Sequence, residues 1–344
     1  MQGKTVLIGM SGGVDSAVSA LLLKQQGYEA VGGTFRLWDG PAADCDDARA
    51  ICGQLGIPHH VFDFRERFRR EVMEYFAGEY RHGRTPNPCV VCNRRIKFGA
   101  MLEEADRLGC RFAATGHYAR MECSGAGLFR ARRAGAIKKD QSYVLWQLGQ
   151  PQLSRALFPL GELDKPAVRR IAEENNLAVS RKAESQDICF IPDGDYAAFL
   201  RGYLGADCPP GDFVDEQGNI LGRHRGIWHY TVGQRKGLGI SFAQPMFVSA
   251  VDARSNTVTL CPNERLLRAE LRGEHANWIC GEPSGPVNLT AKIRYAAEPA
   301  ACVVTPGPDR TVTAVFDTPQ RAITPGQSVV FYDGEFLAGG AVIV

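Results

Sequence analysis

Apolar residues open the chain as a short unbroken run, Thr5-Val6-Leu7-Ile8-Gly9-Met10, which reads as a buried strand. From Ser16 onward the period changes, and Ala17, Ala20, Leu21 and Leu23 recur at the spacing of a buried helix face. The same alternation continues, with strand patterns at 28–35, 59–64 and 111–115 and helix patterns at 46–55 and 101–108. Strands alternating with helices predict an α/β unit, a Rossmann-like parallel sheet covered on both faces, over residues 1–200. Cys208-Pro209-Pro210-Gly211 breaks that pattern. Beyond it, Phe213-Val214 and Ile220-Leu221 flank Asp215-Glu216-Gln217-Gly218-Asn219, a hairpin signal in a small central α+β/β domain expected at 201–265. From 266 to 344 the pattern is all-β, with short strands at 287–295, 301–304, 311–316, 328–332 and 336–344 between Pro and Gly turns. That spacing predicts a C-terminal antiparallel β-barrel. No internal repeat or low-complexity segment interrupts the three units.

The polar break after the first strand carries the first chemistry. Ser11-Gly12-Gly13-Val14-Asp15-Ser16 is a glycine turn between a strand and a helix. Glycines let a backbone approach phosphates, and free N–H groups with the helix dipole attract negative charge. The two hydroxyls add donors, and Asp15 adds a candidate contact for Mg2+. No Lys-Ser or Lys-Thr closes the loop and no G-x-G-x-x-G is present, so it is not a Walker or dinucleotide loop. The string resembles the pyrophosphate loop of ATP pyrophosphatases, which implies ATP cleaved to AMP and pyrophosphate. In a parallel sheet, ligands bind beyond the carboxyl ends of the strands, where this loop and Gly116-His117 are expected.

Composition narrows the class. A chain of 344 residues, 44% hydrophobic and 23% charged, has room for two or three globular domains. No apolar stretch approaches the ~20 residues of a membrane span, and the six-residue opening run is not expected to be a signal peptide. A cytoplasmic protein is expected. Net charge is only +2, but cations cluster. Arg65, Arg67, Arg69, Arg70, Arg81, Arg84, Arg94, Arg95 and Lys97 share one stretch with five acids between Asp63 and Glu79, and a solvated helix face explains them as well as a ligand does. Arg130, Arg132, Arg133, Lys138 and Lys139 meet no acid until Asp140, and a phosphate backbone is their expected partner.

Eleven cysteines in an intracellular chain argue against a disulfide framework. Three stand apart. Cys89 and Cys92 form a C-x-x-C within Arg84-Thr85-Pro86-Asn87-Pro88-Cys89-Val90-Val91-Cys92-Asn93, and Cys189 ends Glu184-Ser185-Gln186-Asp187-Ile188-Cys189. A helix is expected to begin near Cys92, where the dipole stabilises a thiolate by about 0.3–1 kcal/mol. Arg94, Arg95 and Lys97 would push its pKa the same way. A closed zinc site needs a second ligand pair that the chain lacks. What remains is sulfur chemistry, or a three-cysteine site with one open coordination position.

Seven motifs occur in a familiar order: SGGVDS; Thr85-Pro86-Asn87-Pro88 with Cys92-Asn93; Thr115-Gly116-His117-Tyr118; Lys139-Asp140-Gln141-Ser142-Tyr143; Ser185-Gln186-Asp187-Ile188-Cys189-Phe190-Ile191; Gly233-Gln234-Arg235-Lys236-Gly237-Leu238-Gly239-Ile240; and Thr324-Pro325-Gly326-Gln327. Over nearly its full length the chain resembles the bacterial tRNA-specific 2-thiouridylases. The resemblance implies that ATP adenylates O2 of wobble uridine 34 in tRNAs for Lys, Glu and Gln, and that sulfur then replaces that oxygen. It implies ATP contacts at Gly9, Met10, Ser11, Gly12, Gly13, Val14, Asp15, Ser16, Arg36 and Gly116. Target-base contacts fall on Asn87, Pro88 and Cys89. tRNA contacts fall on Lys139, Asp140, Gln141, Arg294 and Tyr295, with His117 and Gln327 as further tRNA interaction sites. Cys92 and Cys189 would be catalytic, and the sulfur donor a cysteine desulfurase, a relay protein or free sulfide. The free protein is expected to be a monomer.

Two departures from the family pattern matter. Cys89 stands where many members have Asp, which removes a carboxylate and completes a three-thiol set with Cys92 and Cys189. That set suits a [4Fe-4S] cluster; the alternative is a persulfide on Cys189 that Cys92 resolves as a disulfide. The cluster is the preferred reading, because Cys89 is otherwise unexplained. The second departure is the short Arg36-Leu37-Trp38-Asp39-Gly40 after Phe35, where the family has Met and a longer loop. Two other functions compete: a different ATP pyrophosphatase, and a non-enzymatic tRNA-binding iron–sulfur protein.

Overall fold

The computed structural model describes residues 3–39, 43–179 and 188–344, so Ser185, Gln186 and Asp187 lie outside the described residues. Five parallel strands form the N-terminal sheet: β1 (Thr5–Gly9), β2 (Glu29–Arg36), β3 (His59–Asp63), β4 (Phe112–Ala114) and β5 (Ala156–Leu157). Their spatial order is β3-β2-β1-β4-β5, so the chain winds outward from β1 and then crosses to its other side. Ile8 is in register with Gly32 on one neighbour and Ala114 on the other. The loops after β1 and β4 therefore open at the point where strand order reverses, the standard ligand crevice of such sheets.

Burial explains the unbroken apolar run of β1, because Val6, Leu7 and Ile8 are fully covered. One face packs against helix α1 (Val14–Gln25), helix α2 (Ala43–Leu55) and the Lys165–Glu174 helix through Val18, Ala20, Ile51 and Val168. The other face packs against Phe98, Met101 and Ala105 of a helical run. That run starts earlier than expected, at Pro88 rather than near Cys92, because Pro is preorganised for a first turn and Asn87 before it is extended. It passes through Pro88–Cys92, a π-helical stretch Asn93–Ala100 and Met101–Arg107, with Phe98 off helical geometry at φ −123°.

The four-stranded central sheet contains the expected hairpin, Gly211–Val214 with Ile220–His224, and adds Phe247–Asp252 and Thr257–Cys261. The C-terminal unit is a closed antiparallel barrel. Its closing strand, Leu267–Trp278, pairs with both Val312–Arg321 and Phe336–Ile343 and was absent from the expected set. An unforeseen hairpin of the first unit, Ala119–Cys123 with Phe129–Arg133, joins the barrel where Arg132 pairs with Phe336. Trp146, Tyr143, Val330 and Tyr332 share one buried cluster across that junction. A large apolar side chain buried this way contributes on the order of 2–3 kcal/mol, which fixes the barrel against the sheet unit. Among the described residues no helix is long and apolar enough to cross a membrane.

Candidate active site

The glycine loop leaves β1 with Met10 N–H donating to the Gly33 carbonyl (2.8 Å). Gly12 takes φ +68°, a left-handed conformation that glycine adopts freely. Gly13 gives α1 no side-chain cap, so the first-turn N–H groups face the loop without a side-chain acceptor. Ser11 Oγ and Ser16 Oγ lie 3.3 Å apart beside them. Across the crevice a Cβ at Gly116 would lie 2.9 Å from Asp15 Cβ and 3.2 Å from Ser16 N, so only glycine fits there. Backbone donors, hydroxyls and a side-chain-free wall fit a nucleotide phosphate chain.

Asp15 is already engaged. Lys165 Nζ reaches its two oxygens at 2.8 and 2.9 Å, and Tyr118 donates its hydroxyl to Oδ1 at 2.7 Å. A magnesium contact through Asp15 therefore competes with a buried ammonium. Sequence reading missed Lys165. Its only local signal is the Asp164-Lys165-Pro166 helix start, where Asp164 caps the Ala167 N–H. Arg36 ends β2 exposed, near Asp63, whose carboxyl is held low first by its hydrogen bonds with Arg65 and least by the Arg36 charge.

His117 follows Gly116 but is buried, with Nδ1 2.7 Å from Thr115 Oγ1 and its ring between Phe98 and Phe158. Burial, then the Lys97 charge, holds its pKa well below the ordinary histidine value, so it is neutral. The structure thus places it in the wall of the site, not on an open surface.

The thiols contradict one expectation. Cys92 is buried, and burial pushes its thiol up to about 12; Lys97 pulls the other way and loses. Three pKa units correspond to about 4 kcal/mol, several times a helix-dipole contribution of about 0.3–1 kcal/mol. Cys189 is an exposed residue, yet protein packed around its sulfur raises the thiol to about 11, first by desolvation and then by Cys89. Cys92 feels both Cys189 and Cys89, so the three thiols occupy one neighbourhood. Yet among the described residues no three His, Cys, Asp or Glu side chains are arranged to hold a metal ion. The thiols have the right chemistry for a cluster but do not converge as its ligand set here. Cys89 itself is exposed in the first helical turn, its carbonyl accepting from Asn93 Nδ2 at 2.9 Å.

The cationic clusters exchange roles. Arg130 and Arg132 meet Glu122 at 3.5 and 2.9 Å, Arg132 also meets Glu335 at 2.6 Å, and Arg133 approaches Asp140 at 3.5 Å. Arg130 also sits 3.6 Å from the Phe336 ring centroid. Glu122 comes from the paired strand, Glu335 from a barrel turn and Asp140 from the loop after Lys139, so the three arginines of this group are opposed in space. In the other cluster, Arg65, Arg67, Arg69, Arg70 and Arg84 pair with nearby carboxylates. Arg94, Arg95 and Lys97 have no ion-pair partner among the described residues, and Arg94 is pushed down by burial, by Arg95 and by Arg310 of the barrel.

The expected tRNA residues divide similarly. Asp140 is buried and accepts from Ala134 N, Ser142 N and Ser142 Oγ, which makes it a turn-builder. Gln141 Oε1 accepts from Tyr118 N at 3.0 Å, and Lys139 ends a one-turn 3-10 helix. Arg294 and Tyr295 are exposed at the barrel edge, the Tyr295 ring 5.8 Å from Tyr143. Gln327 donates to Thr85 and Pro86 carbonyls in the segment leading to Asn87, Pro88 and Cys89.

Comparison with known proteins agrees with this layout. Residues 4–193 match the tRNA methyl transferase HUP domain, 197–262 the tRNA methyl transferase PRC-barrel domain, and 268–343 the aminomethyltransferase beta-barrel domain. The chain is 47% identical to the tRNA-specific 2-thiouridylase MnmA of Heliobacterium modesticaldum, covering 99% of this chain and 92% of that protein. It is 45% identical to the MnmA of Clostridioides difficile (99% and 98% covered) and 45% to that of Acetivibrio thermocellus (100% of both). A solved complex of a 4-thiouridine synthetase with RNA and bound ATP overlaps at TM-score 0.41 and 17% identity, over 59% of this chain and 50% of that one. Full-length identity at this level, on a chain with the glycine loop and both motif cysteines in place, makes it a member of the tRNA-specific 2-thiouridylase family.

Proposed function

We propose that the protein thiolates C2 of wobble uridine 34 in tRNAs for Lys, Glu and Gln at the expense of ATP. The observation that carries this reading is identity of 45–47% to 2-thiouridylases along the whole chain. In the first step uridine O2 attacks the α-phosphorus of ATP and pyrophosphate leaves. The N–H groups of Gly12 to Asp15 and the Ser11 and Ser16 hydroxyls hold the departing pyrophosphate, and Gly116 lets its own loop pack closely on Asp15 and Ser16. Mg2+, when bound, neutralises phosphate charge.

In the second step a sulfur nucleophile attacks C2, the C2–O2 bond breaks, and AMP leaves with that oxygen. The terminal sulfur of a Cys189 persulfide serves as nucleophile. Cys92 thiolate then attacks Cys189 Sγ, which forms a Cys92–Cys189 disulfide and frees the thiouridine sulfur. An external dithiol reduces the disulfide, and a sulfur donor recharges Cys189. Lys97 lowers both thiols against burial, so its charge favours the ionised forms that these attacks need. Arg94, Arg95 and Arg310, unopposed and close, suit a tRNA phosphate, with Arg294 and Tyr295 on the same barrel. No step is routed through a cluster held by Cys89, Cys92 and Cys189. Anaerobic protein with stoichiometric iron and absorbance near about 400 nm would restore the cluster route.

The test is nucleoside mass spectrometry of unmodified tRNA-Lys after anaerobic incubation with protein, Mg-ATP and a sulfur source, with AMP read in the same tube. 2-Thiouridine with matching AMP supports the proposal. ATP turnover independent of tRNA would favour a different ATP pyrophosphatase. tRNA binding with no AMP from folded protein would overturn the enzymatic reading.

A further inference from the structure

Gln327 sits at a turn of the barrel, far in sequence from the loop before the helix at Pro88. Its Nε2 donates to the Thr85 carbonyl at 2.9 Å and to the Pro86 carbonyl at 3.4 Å. A side-chain amide nitrogen carries two N–H donors, and two successive carbonyls lie within its reach here. The orientation is fixed by the acceptors, since a flipped amide would set its oxygen against two carbonyls. Two residues earlier the Pro325 carbonyl accepts from Thr85 N–H at 2.9 Å. Gly326 makes that approach feasible: it has φ +89°, and a Cβ there would lie 2.9 Å from Thr85 N. Ile343 N–H in turn donates to the Gln327 carbonyl at 2.8 Å, anchoring the turn to a barrel strand. A second thread runs one residue on, where the Tyr143 hydroxyl donates to the Ser328 carbonyl at 2.8 Å and also meets the Asn87 side chain.

We infer that Gln327 is a positioning residue: the barrel turn Pro325–Gln327 clamps Thr85–Pro86 and thereby sets the place of Asn87, Pro88 and Cys89. The clamp also couples the tRNA-facing barrel to the loop that meets the target base. This inference rests on the proposed thiouridylase function for its catalytic consequence, but the clamp itself is a property of the free protein.

Gln327→Met keeps size and removes both donors; Gln327→Glu sets a carboxylate against the two carbonyls. In the full-length protein without ATP or tRNA, hydrogen exchange of the Thr85 amide should speed up at least tenfold in both variants. Exchange in β1 and in Ser328–Asp333 should stay unchanged, which identifies folded protein. At saturating tRNA, single-turnover pyrophosphate release should fall tenfold or more, while the tRNA Kd and its salt slope stay within twofold of wild type. Unchanged Thr85 exchange in a folded variant would overturn the clamp. A tenfold weaker Kd with an intact single-turnover rate would make Gln327 a tRNA contact instead. A wild type that releases no pyrophosphate removes the functional reading, and the exchange result still decides the clamp.

Discussion

The two ends of this site are built by opposite means. The phosphate end is local: seven contiguous residues after β1, Met10 to Ser16, faced by Gly116, offer backbone N–H groups that exist as soon as the sheet folds. The sulfur end is assembled from afar, from the start of the Pro88–Cys92 helix, from Cys189, and from a barrel turn more than two hundred residues away. They also differ in charge. The loop is ready for an anion, whereas the surroundings of Cys92 and Cys189 raise their thiols further above neutral pH.

The largest effect that could break this contrast concerns thiol ionisation. Because Cys189 is held up near about 11, its alkylation rate should rise about tenfold per pH unit from 7 to 10, roughly a thousandfold in all. Peptide-level mass spectrometry would follow it; a plateau near pH 9 would mean an ordinary thiol, and one below about pH 8 an activated thiol. The same shifts govern stability. Unfolded thiols ionise from about pH 9, while Cys92 keeps its proton to about 12, so the unfolded state binds fewer protons in that window. Stability is unaffected below pH 9 and falls as pH rises from 9 toward 12, which thermal melts would record.

Gly116→Ala comes next. Its Cβ would press on Asp15 and Ser16 backbone, an overpacking cost of about 1–3 kcal/mol, so ATP affinity should drop about ten- to a hundredfold by calorimetry while Cys189 alkylation is unchanged. Lys165→Met strands the Asp15 carboxylate beside Tyr118. Asp15 is partly exposed, so the loss should be about 2 kcal/mol in urea unfolding, below the 3–5 of a fully buried pair. Adding Asp15→Asn should recover part of it. The smallest effect is Arg130→Ala. Its guanidinium is occupied by Glu122 and Phe336, so tRNA affinity should change less than about twofold and the salt slope should stay put. Arg94→Ala should instead reduce that slope by about one.

What the sequence made legible follows from how far apart the partners lie. The Rossmann-like sheet and the glycine loop could be read because strand, turn and helix are contiguous. The barrel was legible from Pro and Gly turns, but its closing strand was not. In Leu267–Trp278 the fully buried positions are just Leu271, Gly273 and Ala276, with Trp278 packing on Phe331 at the end, so the apolar alternation is sparse. Lys165 lies 150 residues from Asp15, and no local pattern announces the pair. The arginines at 130–133 met no acid in sequence because Glu122 and Glu335 reach them only through strand pairing. The thiol at Cys92 was misjudged because dipole and nearby cations are visible in sequence, whereas the burial that outweighs them is not.

The most direct test of a separable phosphate end and sulfur end is a single turnover with the Cys92→Ser/Cys189→Ser double variant, unmodified tRNA-Lys and Mg-ATP. Pyrophosphate and AMP are read separately. The account predicts a pyrophosphate burst of wild-type rate and amplitude, with neither AMP nor 2-thiouridine, because adenylation needs no thiol and AMP leaves only when sulfur attacks. Loss of the pyrophosphate burst in folded double variant would contradict it, by showing that the thiols take part in activation itself.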